Sequence, residues 1–353
     1  MIISKACFIG IDGNEANVKK RVGIGEYAFE LLQEFSKFKI QNLKFIIYLK
    51  NNLLKDLPEE SDNWKYRIIG PKKLWTQLRL PMDLYLHGPR PDVFFTPSHY
   101  SPRFSPIPTA ISIMDLSYIH YPEMFKKSDL YQLVNWTKYS VEKASKIFTI
   151  SLASKNDIIN VYKVPESRVV VTYPGVKPMS KIKKGHSFGI PKSNIREGEL
   201  DRQNASSAYI LFVGTLQPRK NIERLVEAFA RLSKKYPKLK LLIVGKKGWL
   251  YEEIISSPEK FGVGSRVRFL DFIEDSKMEA LYKNAICFVL PSLYEGFGLP
   301  VLEAMKYGCP LVLSNVSSLP EAGGDAAIYF DPLNVSDIEE KIEKVIDDPR
   351  LRQ

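Results

Sequence analysis

Glu295 and Glu303, with seven residues between them, bracket the run Gly296-Phe297-Gly298-Leu299-Pro300. Residues 286–314 read as strand, tight loop, helix and strand. Proline is pre-organised for the first helical position, and Gly308 stands where a helix C-terminus belongs. One carboxylate then lies in the loop ahead of the helix and the other on its first turn, so both can face one cleft. The glycines let backbone N–H groups approach a ligand closely, and a helix N-terminus favours an anion. Amides that hold phosphate, beside carboxylates that accept from hydroxyls, suit a nucleotide-sugar. Two glutamates at this spacing alone would read as solvated charges. The glycines between them and the apolar strands on both sides reverse that balance.

A second signal is Gly214-Thr215-Leu216-Gln217-Pro218-Arg219-Lys220-Asn221, which follows the apolar run 210–213. A strand ends at Gly214, a turn follows at Pro218, and a helix starts near Asn221. The helix dipole prefers anions at that end. Two cations there make sense when the ligand supplies the negative charge, as a departing nucleoside diphosphate does. A solvated basic turn is the plain alternative. Gly23-Ile24-Gly25-Glu26-Tyr27-Ala28 matches the dinucleotide G-x-G-x-x-A pattern formally. That motif needs a strand immediately before it, and Lys19-Lys20-Arg21 stand there instead, so a nicotinamide site is rejected. A fourth segment, Ile113-Met114-Asp115-Leu116-Ser117-Tyr118-Ile119-His120, closes another apolar run.

These residues must be carried by an alternation of short apolar runs and amphipathic stretches, the pattern of parallel α/β folds. In the first half strands are expected over 6–11, 45–49, 93–96, 109–113, 146–150 and 169–171, and helices over 25–37, 127–145 and 154–161. Residues 178–207 lose apolar periodicity and gather Lys, Gly, Ser, Asn and Arg, as a solvated connector does. Beyond it, strands are expected over 210–214, 240–245, 267–270, 286–291 and 310–314. Helices are expected over 221–235, 278–284, from Pro300, and over 338–346. The architecture is therefore two Rossmann-like α/β domains facing across a cleft: 1–177, a connector 178–207, and 208–353.

The segment from Glu295 to Glu303 resembles the Glu-x7-Glu signature of retaining glycosyltransferases with the GT-B fold, group 1, family 4. Residues 214–221 are similar to the Gly-Thr-x-x-Pro-Arg-Lys-Asn element of the same enzymes. Residues 23–28 resemble their glycine-rich loop after the first strand, and 113–117 their His-Asp-Leu-Ser segment. The likeness runs through nearly the whole chain up to residue 347, and its two second-domain motifs are the specific ones. It implies an acceptor-side first domain and a nucleotide-sugar-binding second domain. Glu295 would reach the sugar hydroxyls and Glu303 the ribose, while Arg219 and Lys220 would hold the diphosphate. Gly214, Gly296, Phe297, Gly298, Leu299 and Gly25 fall on the donor side; Asp115 and Tyr118 fall on the acceptor side. The implied reaction moves a hexose, with GDP-mannose the first choice of donor, to a glycan or lipid-linked acceptor in surface polysaccharide synthesis.

Two departures from the family pattern matter. Many relatives place an arginine directly after the glycine where this chain has Thr215, which makes Lys220 the firmer correspondence. Met114 stands where relatives carry histidine, and a thioether moves no proton. The alternative is therefore a catalytically degenerate protein that binds nucleotide or glycan without turnover. The chain also ends where relatives continue into a helix that returns to the first domain, so a truncated C-terminus is one expectation. No Asp-x-Asp pair is present, and the transfer is expected to need neither metal nor cofactor. His87, His99, His120 and His186 lack metal-ligand spacing.

Composition sets the outer bounds. At 353 residues, with 44% hydrophobic and 26% charged residues, the chain has the make-up of an ordinary two-domain globular protein. No apolar run approaches the roughly 20 residues of a membrane span, and the opening residues read as a first strand, not a signal peptide. Three scattered cysteines (Cys7, Cys287, Cys309) form no disulfide or zinc framework, so a cytoplasmic setting is expected. The net charge of +11 is uneven: residues 1–177 hold 25 Lys and Arg against 17 Asp and Glu, and 208–353 hold 20 against 20. A basic first half suits an anionic membrane surface or a phosphate-bearing acceptor. Nucleic acid is disfavoured, since no recognition motif accompanies the charge. Lys72, Lys73, Arg79, Lys126 and Lys127 near Trp75 and Leu74, Leu78 and Leu80 make the candidate membrane face, with an ordinary solvated basic face as the alternative.

Overall fold

The computed structural model describes residues 6–21, 23–70, 72–176, 208–271, 273 and 275–352. The expected connector 178–207 lies outside the described residues. The first half runs β1 (Cys7–Asp12), α1 (Ile24–Ser36), β2 (Leu43–Leu49), β3 (Trp64–Ile68), α2 (Leu80–Leu86), β4 (Val93–Thr96), β5 (Thr109–Ile113), α3 (Ser117–His120), α4 (Lys127–Lys143), β6 (Lys146–Thr149), α5 (Leu152–Tyr162) and β7 (Val169–Val171). The second runs β8 (Tyr209–Val213), α6 (Ile222–Lys235), β9 (Lys240–Val244), α7 (Glu252–Lys260), β10 (Val267–Leu270), α8 (Asp275–Asn284), β11 (Cys287–Leu290), α9 (Leu299–Lys306), β12 (Leu311–Ser314), α10 (Leu319–Gly323), β13 (Ala327–Phe330) and α11 (Val335–Asp347).

Each set of strands forms one parallel sheet. The first has seven strands in the order β3-β2-β1-β4-β5-β6-β7, and the second has six in the order β10-β9-β8-β11-β12-β13. Strand order therefore reverses between β1 and β4 in one sheet and between β8 and β11 in the other. α/β sheets bind ligands at such reversals, outside the carboxyl ends of the strands. The central strands are continuous apolar runs because helices cover both faces of a parallel sheet: every residue of β5, β11 and β12 is buried. In the second sheet α6 supplies one of the covering layers, burying Ile222, Leu225, Val226, Phe229 and Leu232 along one face.

Two units result. The first comprises Met1–Leu116 and Lys127–Tyr173, the second Ser117–Lys126 and Pro174–Gln353. The ten-residue segment Ser117–Lys126 follows β5 in the chain yet packs with the second unit.

Several elements depart from the sequence expectation. β3 reads Trp-Lys-Tyr-Arg-Ile and is only partly buried, because it is an edge strand with no continuous apolar run. β13 lies at the opposite edge of the second sheet. A π-helical turn (Trp75–Arg79) leads into α2, whose start carries Pro81, and α7 contains Pro258. Proline in a run argues against helix from sequence alone.

Candidate active site

The loops after β8 and β11 leave adjacent strands, since Cys287 pairs with Ile210 and Phe288 with Leu211. That register brings residues 214–221 against residues 291–299, although some 75 positions separate Arg219 and Lys220 from Glu295. Lys220 sits in a 3-10 turn (Pro218–Lys220) ended by Asn221 in the left-handed region at φ 55°. The Asn221 amide donates to the carbonyls of Pro291 (3.0 Å) and Pro332 (2.8 Å), which fastens the turn to the neighbouring loops.

Glu295 is 6% exposed. Lys220 Nζ lies 2.5 Å from its Oε1 and Arg219 Nη1 lies 3.2 Å from its Oε2. The Ser292 hydroxyl donates to Oε1 at 2.6 Å. Burial alone would raise the carboxyl pKa. The Lys220 and Arg219 charges, with hydrogen bonds from Lys220 and Ser292, outweigh it and hold the group at about 2. The two cations therefore share a carboxylate of their own, and Glu295 is ionised at every physiological pH. Arg219 also donates to the Tyr294 carbonyl, and Leu293 N–H donates back to the Arg219 carbonyl at 2.9 Å.

Serines complete the loop, and sequence reasoning missed them. The Glu295 N–H donates to Ser317 Oγ (2.8 Å), Ser318 Oγ donates to the Glu295 carbonyl (2.9 Å), and Ser314 Oγ to the Ser292 carbonyl (2.7 Å). The only signal was a serine-rich stretch after β12.

Gly298 caps α9 in the left-handed region at φ 101°, and a Cβ there would meet Leu319 Cδ2 at 2.8 Å. Only glycine suits that entry. Gly296, Phe297 and Gly298 are buried and Leu299 is exposed. Glu303 falls one residue deeper in α9 than the sequence suggests, because the helix opens at Leu299 and not at Pro300. Its Oε2 accepts from the Tyr282 hydroxyl at 3.0 Å, and Tyr282, fully buried, stacks on Tyr307. Desolvation and the Glu303 charge push the Tyr282 phenol far above its ordinary value, so it stays a proton donor. Gly214 leaves room beside Lys220, whose Cε would lie 3.7 Å from an added Cβ.

In the first unit, Gly25 is buried in α1, and its missing side chain leaves space taken by the Glu15 carbonyl, 3.1 Å from where a Cβ would sit. Its close approach is thus to the chain itself. The carbonyl of Met114 accepts from Ser154 Oγ at 3.0 Å. Desolvation pushes His99 down to about 4 against the pull of the Asp115 charge, so it is neutral at pH 7. Asp12, buried at the end of β1, accepts from Asn14 N (3.0 Å) and Nδ2 (2.6 Å). Desolvation outweighs those bonds and raises its carboxyl to about 6. Neither His99 nor Asp12 stood out in the sequence. Tyr118 belongs to the second unit, its buried ring edge-on to Phe125. Among the described residues, no group of three or more His, Cys, Asp or Glu converges to hold a metal ion, and no helix is long and apolar enough to cross a membrane.

Buried cations on a carboxylate thus lie at the strand-order reversal of a parallel sheet and beside a helix N-terminus, the place where α/β folds bind ligands. Residues 199–353 match the family described as Glycosyl transferases group 1. O-antigen chain mannosyltransferase B of Escherichia coli is 33% identical over 294 residues, covering 82% of this chain and 72% of that protein. Among solved structures, sucrose-phosphate synthase from Thermosynechococcus elongatus superposes with a TM-score of 0.70 at 18% identity, covering 98% of this chain and 91% of that one. WaaG, a glycosyltransferase involved in lipopolysaccharide biosynthesis, gives 0.68 at 18% identity over 98% and 92%. The chain belongs to the group 1 glycosyltransferases, and its two parallel-sheet domains are those of the GT-B fold.

Proposed function

We propose that this glycosyltransferase is a retaining mannosyltransferase of surface polysaccharide synthesis, taking mannose from GDP-mannose to a glycan or lipid-linked acceptor. The observation that carries the reading is the buried Lys220–Glu295–Arg219 cluster at the β8/β11 reversal, in a chain related to an O-antigen mannosyltransferase. Arg219 and Lys220 stabilise the leaving diphosphate without a metal, since preorganised cations in a desolvated site act where charge develops. Glu295, ionised and fixed, orients both cations and presents its edge to the sugar. Glu303, set by Tyr282, accepts from the ribose. Backbone N–H groups at the start of α9 face the phosphates.

The protein works at the inner face of the membrane. Leu78, Met82, Tyr85 and Leu86 recur at helical spacing over residues 75–86 and are 47–70% exposed, with Leu74 exposed just before them. Lys72 and Lys73 are exposed beside them, and the only acid of the stretch, Asp83, turns inward to Arg67 at 3.0 Å. An apolar stripe rimmed by cations complements an anionic bilayer. Trp75 and Leu80, expected on that face, are buried instead, and the Trp75 indole donates to the Ile69 carbonyl.

The deciding experiment incubates the full chain with labelled GDP-mannose, UDP-glucose and UDP-galactose, with and without a lipid-linked glycan acceptor. Acceptor-dependent transfer of mannose with retained anomeric configuration is expected. Binding of GDP-mannose without turnover, with turnover gained in Met114→His, would favour the second reading, a degenerate binding protein, which Met114 supports.

A further inference from the structure

The segment Ser117–Lys126 is built onto the loop that carries Glu295. The His120 ring stacks on Tyr294 at 5.2 Å between centroids and 26° between planes. The Tyr121 hydroxyl donates to the Leu293 carbonyl at 3.3 Å, and its ring stands edge-on to Tyr294 at 6.4 Å. Two further contacts fix the end of the segment: Trp249 Nε1 donates to the Met124 carbonyl at 2.6 Å, and the Phe125 and Trp249 rings pack at 5.5 Å. Leu293 and Tyr294 are also the residues that Arg219 contacts, through its carbonyl and its guanidinium. The loop is thus held by both Arg219 and the segment, with Glu295 as its next residue.

We propose that His120 and Tyr121 are positioning residues for the transfer: they hold residues 293 and 294 so that the Tyr294 carbonyl and the Glu295 carboxylate meet Arg219 in one fixed geometry. The reading rests on the proposed transferase function for its kinetic consequence, but its structural consequence is independent. A site that must stabilise charge without reorganising gains from every support that keeps its dipoles still. Small displacements at such a site cost rate more than they cost ground-state binding. Neither side chain needs to touch the substrate for this.

The test compares His120→Ala, which removes the stacked ring, with His120→Phe, which retains one, and Tyr121→Phe, which removes only the hydroxyl. The first readout needs no substrate: hydrogen exchange of the full chain at the Leu293 and Glu295 amides, which donate to the Arg219 carbonyl and to Ser317. Exchange at these amides is expected to rise about two- to tenfold in His120→Ala, the equivalent of the roughly 0.5–1.5 kcal/mol of a stacked aromatic contact. It should rise less in Tyr121→Phe and stay near wild type in His120→Phe, with the rest of the second unit unchanged. The second readout is kinetic: kcat with GDP-mannose should fall about tenfold in His120→Ala and recover in His120→Phe, while the Kd for GDP stays within twofold. Unchanged exchange at residues 293–295 in all variants would overturn the proposal, whatever the donor proves to be. So would a loss of protection spread through the whole unit, which marks a merely structural role. If wild type turns over no donor, the functional reading fails while the exchange result still decides the positioning role.

Discussion

Lys220 Nζ and Glu295 Oε1 meet at 2.5 Å with only 10% and 8% of their side chains exposed. A carboxylate this buried is stable only when its charge is answered on the spot. Two cations and a serine hydroxyl answer it here. The same contacts fix the cations, whose ammonium and guanidinium would otherwise sample many rotamers on long stems. Glu295 thus has a structural role that its place in the motif does not advertise.

Removing one partner should cost both stability and rate. Lys220→Ala is expected to lower transfer by roughly 10²–10³, the scale of one lost preorganised electrostatic contact. It should destabilise the protein by about 3–5 kcal/mol, because the Glu295 carboxylate stays buried with a weaker answer. The double variant Lys220→Ala with Glu295→Gln should recover part of the stability and none of the activity. Denaturant melts and initial rates measure the two effects separately; full activity in Lys220→Ala would remove Lys220 from the mechanism. The pH sign follows from the depressed Glu295 carboxyl. Its stabilisation is complete above the ordinary value of 4.5 and lost as pH falls towards about 2. Glu295→Gln should therefore flatten the acid limb of the stability profile.

Much of this is legible in the amino-acid sequence. The strands over 109–113, 169–171 and 267–270 fall where their apolar runs put them. The first is buried throughout, and a strand covered on both faces has little choice of composition; the other two are edge strands, legible from their short apolar runs alone. β3 was not legible, because an edge strand interrupted by Lys65 and Arg67 looks like a loop. At the site the residue types were legible and their partnership was not. In the sequence Arg219 and Lys220 point to a phosphate and Glu295 points to a sugar. That they meet depends on the pairing of β8 with β11, which local pattern does not encode. Ser317 and Ser318 escaped for the same reason, as did Tyr282 behind Glu303.

Asp12 should be a place where removing charge stabilises. Its carboxyl is raised from 3.8 to about 6 by desolvation. The folded state therefore holds the proton more tightly than the unfolded chain, and stability falls as pH rises from about 4 to about 6. Asn14 donates both hydrogen bonds to Oδ1, and an asparagine oxygen accepts them equally well. Asp12→Asn is expected to raise stability at pH 8 by up to about 3 kcal/mol, the equivalent of two pKa units, and to have no effect at pH 4. A lower melting temperature at pH 8 would show that the ionised form is needed there.

Gly245 holds the start of the Gly214–Lys220 loop in place. It has φ 155°, and a Cβ would lie 1.9 Å from the Gly214 carbonyl oxygen, a backbone atom that cannot step aside alone. Gly245→Ala should push the end of β8 from β9, costing about 2–4 kcal/mol and displacing Lys220 with it. Donor affinity, measured by calorimetry with GDP on the folded fraction, should fall with stability. A variant that melts like wild type would mean that the two loops separate freely.

The last prediction separates a membrane face from a merely basic one. The whole charge excess outside residues 178–207 lies in the first half, 25 cations against 17 acids, and the exposed stripe Leu78, Met82, Tyr85 and Leu86 lies there too. Charge brings a protein to an anionic surface, but screening over about 8–10 Å at physiological ionic strength makes that attraction salt-sensitive. Buried apolar side chains add an attraction that salt does not remove. The full chain should co-sediment with vesicles of phosphatidylglycerol and phosphatidylcholine and not with phosphatidylcholine alone. Leu78→Asp with Leu86→Asp should abolish the fraction that resists 0.5 M salt, while Lys72→Glu with Lys73→Glu should weaken binding mainly at low salt. Both double variants touch exposed residues, so melting temperature and soluble-donor hydrolysis should stay within error of wild type. Equal, negligible sedimentation with both vesicle types at low salt would leave the basic half as a solubility device and point to an acceptor met in solution.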